Sequence, residues 1–212
     1  MSTITYQPRF ISMEGIDGAG KSTHLPFIRS LLTQAGLEVV QTREPGGTPL
    51  GETLRAILLS QTMSAQTEAM LMFAARRENY LQVIAPALAR GAWVLCDRFT
   101  DSSLAYQGGG RAMPDAELAQ LQQIAIGPVQ PDLTLLFDVP LEVAQARIGS
   151  SRELDKFEQE QADFHARVRQ YYLQLAAANP QRYRLLDARH SIAELQAQLQ
   201  QILQDFLHGA RC

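Results

Sequence analysis

Gly15-Ile16-Asp17-Gly18-Ala19-Gly20-Lys21-Ser22 decides how this chain is read. The spacing is G-x-x-x-x-G-K-[ST]. It lies between the apolar run 9–14, which reads as a strand, and residues 21–35, which read as a helix closed by Gly36. Glycines at these positions let backbone N–H groups turn inward around phosphate oxygens. The helix N-terminus adds partial positive charge. Lys21, read as a solvent-edge ligand, can reach β- and γ-phosphates, and the Ser22 hydroxyl can ligate a divalent cation. Gly15, Ile16, Asp17, Gly18, Ala19, Gly20, Lys21, Ser22 and Thr23 are therefore the expected cradle for a nucleotide. Asp17 is unusual there, because a carboxylate among phosphate-binding amides repels phosphate. It points either to a hydroxyl of a second substrate or to a metal-bound water; a bare helix-dipole partner is the alternative.

Outward from the loop, short apolar runs alternate with segments of helical period. Strands are expected at 37–42, 92–96, 133–139 and 183–186. Helices are expected at 50–59, 66–90 with an interruption near Pro86, 114–126, 141–148 and 192–207. The run Gly108-Gly109-Gly110 reads as a flexible turn. Strands that are apolar throughout and separated by helices imply an α/β fold, with a parallel sheet covered on both faces. In such sheets ligands bind beyond the carboxyl ends of the strands.

The residues that follow each strand are therefore the informative ones. Asp97-Arg98-Phe99 closes the third strand; a carboxylate there can hold Mg²⁺ or its water, with Arg98 near phosphates. Arg43-Glu44-Pro45-Gly46-Gly47 follows the second strand, and Arg55 lies on the next helix. Arg76 and Arg77 interrupt an apolar helix after Met70, Leu71, Met72 and Phe73. Such an Arg can bond the edge of a base stacked on a Met or Phe, or it can snorkel beside the core. Ser103, Tyr106 and Gln107 supply hydroxyl, phenol and amide groups suited to a base and a sugar. Residues 147–156, with Arg147, Arg152 and Lys156, read either as a short lid closing over a phosphoryl group or as a solvated loop.

At 212 residues the chain is expected to form a single domain, 1–212, able to bury roughly 70% of its unfolded surface. Hydrophobic residues at 46% exclude a disordered chain. The net charge of −3 disfavours a protein that coats long nucleic acid. Of the cysteines, Cys96 lies in an apolar run and Cys212 is the last residue, so neither a disulfide framework nor a metal cluster follows. Residues 1–7 lack a basic cluster and an apolar stretch, and no apolar run reaches the roughly 18 residues of a spanning helix. The expected setting is cytoplasmic and reducing, without a membrane partner.

The segments Glu14 to Thr23, Thr42-Arg43-Glu44-Pro45-Gly46-Gly47-Thr48, Asp97-Arg98-Phe99, Ala105 to Arg111, Pro131-Asp132-Leu133-Thr134 and Glu153 to Glu158 together resemble the bacterial thymidylate kinase (dTMP kinase) family over nearly the whole chain. The resemblance implies a fold of the P-loop NTPase type, with a five-stranded parallel sheet and a mobile lid at about 147–156. It implies a homodimer that moves the ATP γ-phosphoryl group to dTMP with Mg²⁺, giving dTDP and ADP. By that resemblance Asp17 reads the 3′-hydroxyl of dTMP, and Arg98, with Arg43 or Arg55, holds its phosphate. Arg76 bonds thymine, Ser103 and Gln107 touch the base, and Tyr106 crowds the 2′ position. Arg152, with Arg147 as alternative, is the catalytic lid cation beside Lys21 and Arg98; Ser22 and Asp97 hold the metal. The family places a Phe four residues before its thymine-reading Arg. Here Met72 is four before Arg76 and Phe73 four before Arg77, so the platform falls on either. A sister nucleoside monophosphate or deoxynucleoside kinase is the competing reading; it should lack the Tyr-Gln pair and the Arg-Glu-Pro-Gly-Gly turn. A P-loop switch protein would need an Asn-Lys-x-Asp segment, which the sequence does not contain.

Overall fold

The computed structural model describes residues 6–148 and 155–210. Strands β1 (Phe10–Glu14), β2 (Val39–Arg43), β3 (Trp93–Asp97), β4 (Leu133–Asp138) and β5 (Tyr183–Asp187) form one sheet in the order β2-β3-β1-β4-β5. Every pairing is parallel. β1 is buried along its whole length, as a strand covered on both faces must be. Side chains alternate between two cores because successive residues of a strand face opposite ways. From β3, Trp93 and Leu95 enter one core with Ile28 and Leu199; Val94 and Cys96 enter the other with Phe73 and Leu118.

Helix α1 (Lys21–Gln34) follows β1, and α2 (Pro49–Ser60) and α3 (Ala65–Asn79) follow β2. The Thr48 and Ser64 hydroxyls cap α2 and α3 by accepting from Gly51 N and Thr67 N. The interruption expected near Pro86 in the helical segment 66–90 is present, and it divides the segment into three pieces. α3 passes through a widened turn at Tyr80–Ile84 into the short α4 (Ala85–Ala89). Pro86 has no N–H to offer the carbonyl four residues back, and the helix absorbs that loss in the turn just before it. After β3 come α5 (Thr100–Ser103), a second widened turn at Leu104–Gly110, and α6 (Asp115–Ile126). α7 (Leu141–Ile148) follows β4, and α9 (Ile192–Gly209) closes the fold behind a Ser191–Glu194 capping box.

Two findings correct the sequence reading. Helix α8 (Ala162–Ala178) was not anticipated. It buries Phe164, Val168 and Tyr172, spaced four apart, against the sheet and the second widened turn. The glycines at 108–110 are also not a free turn. A Cβ on Gly109 would lie 2.7 Å from Tyr171 Cβ, and one on Gly110 would strike the Phe164 ring. Glycine there admits α8 at close range, and so fixes the segment that carries Tyr106 and Gln107.

Register alone gathers the strand ends. Met13 and Arg43 both pair with Asp97, so Glu14, Glu44 and Arg98 emerge side by side.

Candidate active site

The phosphate loop begins where β1 ends. Gly15 has φ +136, and a Cβ on it would collide with the Phe137 carbonyl oxygen of β4. Ile16 and Ala19 are buried in the core, so only their backbone faces the cradle. Lys21 is 7% exposed, not the solvent-edge group expected. Its Nζ donates to Gly15 O at 2.9 Å and Ile16 O at 3.1 Å. Burial, aided by the nearby Arg98 charge, lowers its pKa to about 8 against the pull of Asp17, Asp97 and Glu14. The ammonium is still charged at neutral pH.

Asp17 is aimed sideways, as its awkward place in the loop required. Its Oδ1 accepts from Arg98 Nη2 at 2.7 Å and its Oδ2 from the Tyr106 hydroxyl at 2.9 Å. Burial pushes the carboxyl up, but Arg98 and Lys21 together hold it well below the usual carboxylate range. Arg98 is a non-glycine residue at φ 69, in the left-handed region. Its guanidinium also donates to Ser102 Oγ, Tyr172 Oη and Tyr106 Oη, each at 3.2 Å. The buried Glu14 fixes this corner. It accepts from Phe99 N at 2.7 Å, Ser102 Oγ at 2.6 Å and Tyr172 Oη at 2.9 Å. Burial, with the Asp101 charge, raises its pKa to about 7. Sequence reading gave Glu14 no role; its place in an otherwise apolar strand was the signal.

Beside this corner lies a cavity with an empty volume of about 570 Å³. Asp17, Arg55, Arg76, Arg98, Ser103, Tyr106 and Gln107 all line it, so seven expected substrate contacts converge there. Arg76 is 2% exposed and tightly held. Its Nε donates to Glu44 Oε2 at 2.6 Å, Nη1 to Ser103 Oγ at 3.1 Å and Nη2 to Phe99 O at 3.0 Å. Asn79 Nδ2 donates to the other Glu44 oxygen at 3.1 Å. The Glu44–Pro45 peptide bond is cis. Phe73 is a correction. It faces the core, under the Arg76 guanidinium at 4.6 Å from its ring centroid, because the helix turns it toward Phe10 and Phe99. The side chain at the cavity is Met72, with Leu59 and Phe157 as further apolar wall.

A second hollow of about 1070 Å³ shares Asp17, Glu44, Arg55 and Arg98 with the first. Gly18, Gly20, Lys21, Ser22, Thr23, Arg43, Asp97 and Arg147 line it. Arg43 pairs with Glu52 at 2.7 Å and is more than half exposed. Arg55 donates to Pro45 O at 3.0 Å and stands between the two spaces. Arg147 Nη2 donates to Ala188 O at 2.7 Å. Arg152 lies outside the described residues. Lys156 cannot serve as a free lid cation here, because the buried Glu68 holds its Nζ at 2.6 Å. Asp97 Oδ1 is buried without a hydrogen-bond partner in this hollow, close in sequence register to Arg43. Asp97 and Ser22 line the same hollow, and an unpaired carboxylate oxygen beside a hydroxyl fits a hard cation or its water. Among the described residues no cluster of three His, Cys, Asp or Glu could hold a metal by itself.

A parallel sheet, a G-x-x-x-x-G-K-[ST] loop at the end of its central strand, and two adjoining spaces divided by Asp17 and Arg98 define a P-loop phosphotransferase. The family model described as thymidylate kinase matches residues 13–199. A thymidylate kinase from Janthinobacterium sp. (strain Marseille) is 59% identical over 195 residues, covering 92% of this chain and 96% of that protein. One from Methylobacillus flagellatus is 54% identical over 93% of this chain and 98% of its own length. The crystal structure of thymidylate kinase from Ehrlichia chaffeensis aligns with a TM-score of 0.75 at 32% identity, covering 92% of this chain and 98% of that one. The chain belongs to the thymidylate kinase family, and as such is an ATP-dependent nucleotide kinase.

Proposed function

We propose that the enzyme transfers the γ-phosphoryl group of ATP to dTMP, giving dTDP and ADP, and that the two spaces divide the work. The hollow over the phosphate loop takes ATP, and the cavity beside Arg76 takes dTMP. The observation that carries this reading is Arg98, a cation placed where the two spaces meet and held by Asp17 from the phosphate loop at 2.7 Å. An oxygen of the dTMP phosphate attacks the γ-phosphorus as the bond to the β-phosphate oxygen breaks. The chain's task is positioning and charge compensation. Lys21 neutralises the donor phosphates, and Arg98, with Arg55 and Arg43 nearby, holds the acceptor phosphate in line. Asp17 accepts from the sugar 3′-hydroxyl, while Tyr106 closes the space a 2′-hydroxyl would need. Arg76, Ser103 and Gln107 face the base. Ser22 and Asp97 would hold Mg²⁺ with its waters, and the ion would supply positive charge against the phosphates. Arg152, or Arg147 in its place, is the further cation assigned to the transferring group.

The enzyme is further proposed to work in the cytoplasm as a homodimer. Helices α2 and α3 pack on each other and leave Leu50, Ile57 and Met70 between 39% and 52% exposed, a surface a second copy can cover. No helix among the described residues is long and apolar enough to cross a membrane. A coupled ADP-release assay with dTMP, dUMP, dCMP and AMP tests the reaction. dTMP should give the highest kcat/KM; a higher value for dCMP or AMP overturns the assignment. Light scattering on the purified enzyme tests the dimer.

A further inference from the structure

Glu68 is the most heavily committed carboxylate outside the residues assigned so far. It lies on α3, is 1% exposed, and binds groups from three directions. Its Oε1 accepts from Gln107 Nε2 at 3.0 Å and Arg111 Nε at 3.3 Å. Its Oε2 accepts from Arg111 Nη2 at 3.3 Å and Lys156 Nζ at 2.6 Å. Burial alone would raise its pKa, but Lys156, Gln107 and Arg111 outweigh that and keep the group ionised. An ionised carboxylate only accepts hydrogen bonds. The Gln107 side chain must therefore turn its amide NH₂ toward Glu68. Its carbonyl oxygen is then the atom it presents to the cavity it lines.

We propose that Glu68 is a positioning residue that sets base selectivity: by fixing the Gln107 amide it presents an acceptor to the bound base, and so selects a pyrimidine that carries N3–H. The inference rests on the dTMP reading of the cavity. Thymine and uracil have a donor at N3, where cytosine has an acceptor. A cytosine in the same position would set its N3 lone pair against the Gln107 oxygen, leaving both buried acceptors unpaired. Such mismatches discriminate strongly, because a site built to bond one group leaves it unsatisfied by the other. Lys156 and Arg111 serve the same end from behind, holding the carboxylate against α3.

Glu68→Gln separates orientation from packing, because it keeps the shape and removes the charge. The cations Lys156 and Arg111 would draw the new amide oxygen, turning its NH₂ toward Gln107. Gln107 would then flip and offer NH₂ to the base. The kcat/KM ratio of dUMP to dCMP reads this directly, since both lack the 5-methyl group. It should fall by about tenfold or more in Glu68→Gln. The double exchange Glu68→Gln with Gln107→Glu restores an acceptor toward the base and should bring the ratio back toward wild type. An unchanged ratio in a folded Glu68→Gln enzyme, with both substrates losing equally, overturns the inference. If Glu68→Gln does not fold, the side-chain amide NMR signals of Gln107 in the wild-type enzyme decide. They should stay in the carboxylate-bonded position when dTMP is added; a shift of the NH₂ onto the nucleotide overturns the inference. Wild-type turnover of dTMP in the same assay reports separately on the proposed reaction.

Discussion

The two spaces that meet at Arg98 differ in how their polar groups are held. In the cavity beside Arg76, the charged groups are bonded to protein. Arg76 sits between Glu44, Ser103 and Phe99, and Arg98 between Asp17, Ser102, Tyr106 and Tyr172. Over the phosphate loop the polar groups are less settled. Asp97 Oδ1 has no partner, Arg43 is more than half in solvent, and Lys21 bonds two loop carbonyls of its own cradle. The difference teaches where each kind of recognition comes from. A base and a deoxyribose are read by shape and by a few donors and acceptors, which must be fixed before the ligand arrives. A triphosphate with its cation brings its own charge and completes a site left open for it.

The first way to break this contrast is on the phosphate-loop side, at the cation proposed to neutralise the donor phosphates. Lys21→Ala should lower kcat by about 100-fold or more, comparable to deleting one preorganised electrostatic donor. The fold should survive, because the bonds lost are to loop carbonyls beside the hollow. Circular dichroism with steady-state kinetics checks both halves; near wild-type turnover in a folded Lys21→Ala enzyme would remove the loop from the chemistry.

On the acceptor side, Asp17→Asn keeps the shape and removes the charge that Arg98 and Tyr106 share. A loss of about 10- to 100-fold in kcat/KM for dTMP is expected, the range for a charge-assisted bond. A 3′-deoxy analogue of dTMP should lose less, having no hydroxyl to donate. Equal losses on both acceptors would move Asp17 from sugar recognition to the support of Arg98 alone.

The smaller effect sharpens the contrast through pH. Glu14, raised by burial to about 7, is protonated in the folded state at pH values where the unfolded chain is already ionised. Its contribution to stability is therefore complete below the usual carboxylate range, declines as pH rises from about 4.5 to about 7, and is flat above that. Asp17 runs the other way, since its folded pKa is depressed, and its contribution is lost only in stronger acid. Denaturant titrations across pH 5 to 8 should show a slope in wild type that Glu14→Gln reduces. No change in slope would assign the titration elsewhere.

Much of this was legible in the chain. The loop at 15–22 and the largely apolar central strands point to a doubly covered parallel sheet, and strand ends then name Asp97, Arg98 and the Arg43–Gly47 turn. What escaped depends on contacts between distant segments. α8 carries its apolar residues as a thin stripe, Phe164, Val168 and Tyr172, among charged neighbours. The glycines at 108–110 look mobile in sequence and are in fact pressed against that helix. Phe73 and Met72 differ by one position, about a third of a helical turn, which decides between core and cavity. Glu68 had no local pattern to mark it, and Glu14 only its place at the end of an apolar strand; burial with several donors shows their work.

The central claim is that Arg98 belongs to the acceptor although it touches the phosphate loop. Calorimetric binding of dTMP and of ATP to Arg98→Lys tests it most directly, because lysine keeps the charge and loses the planar fork. The account predicts that dTMP affinity falls about tenfold or more while ATP affinity stays within about twofold. A loss of ATP affinity with dTMP binding intact would contradict it.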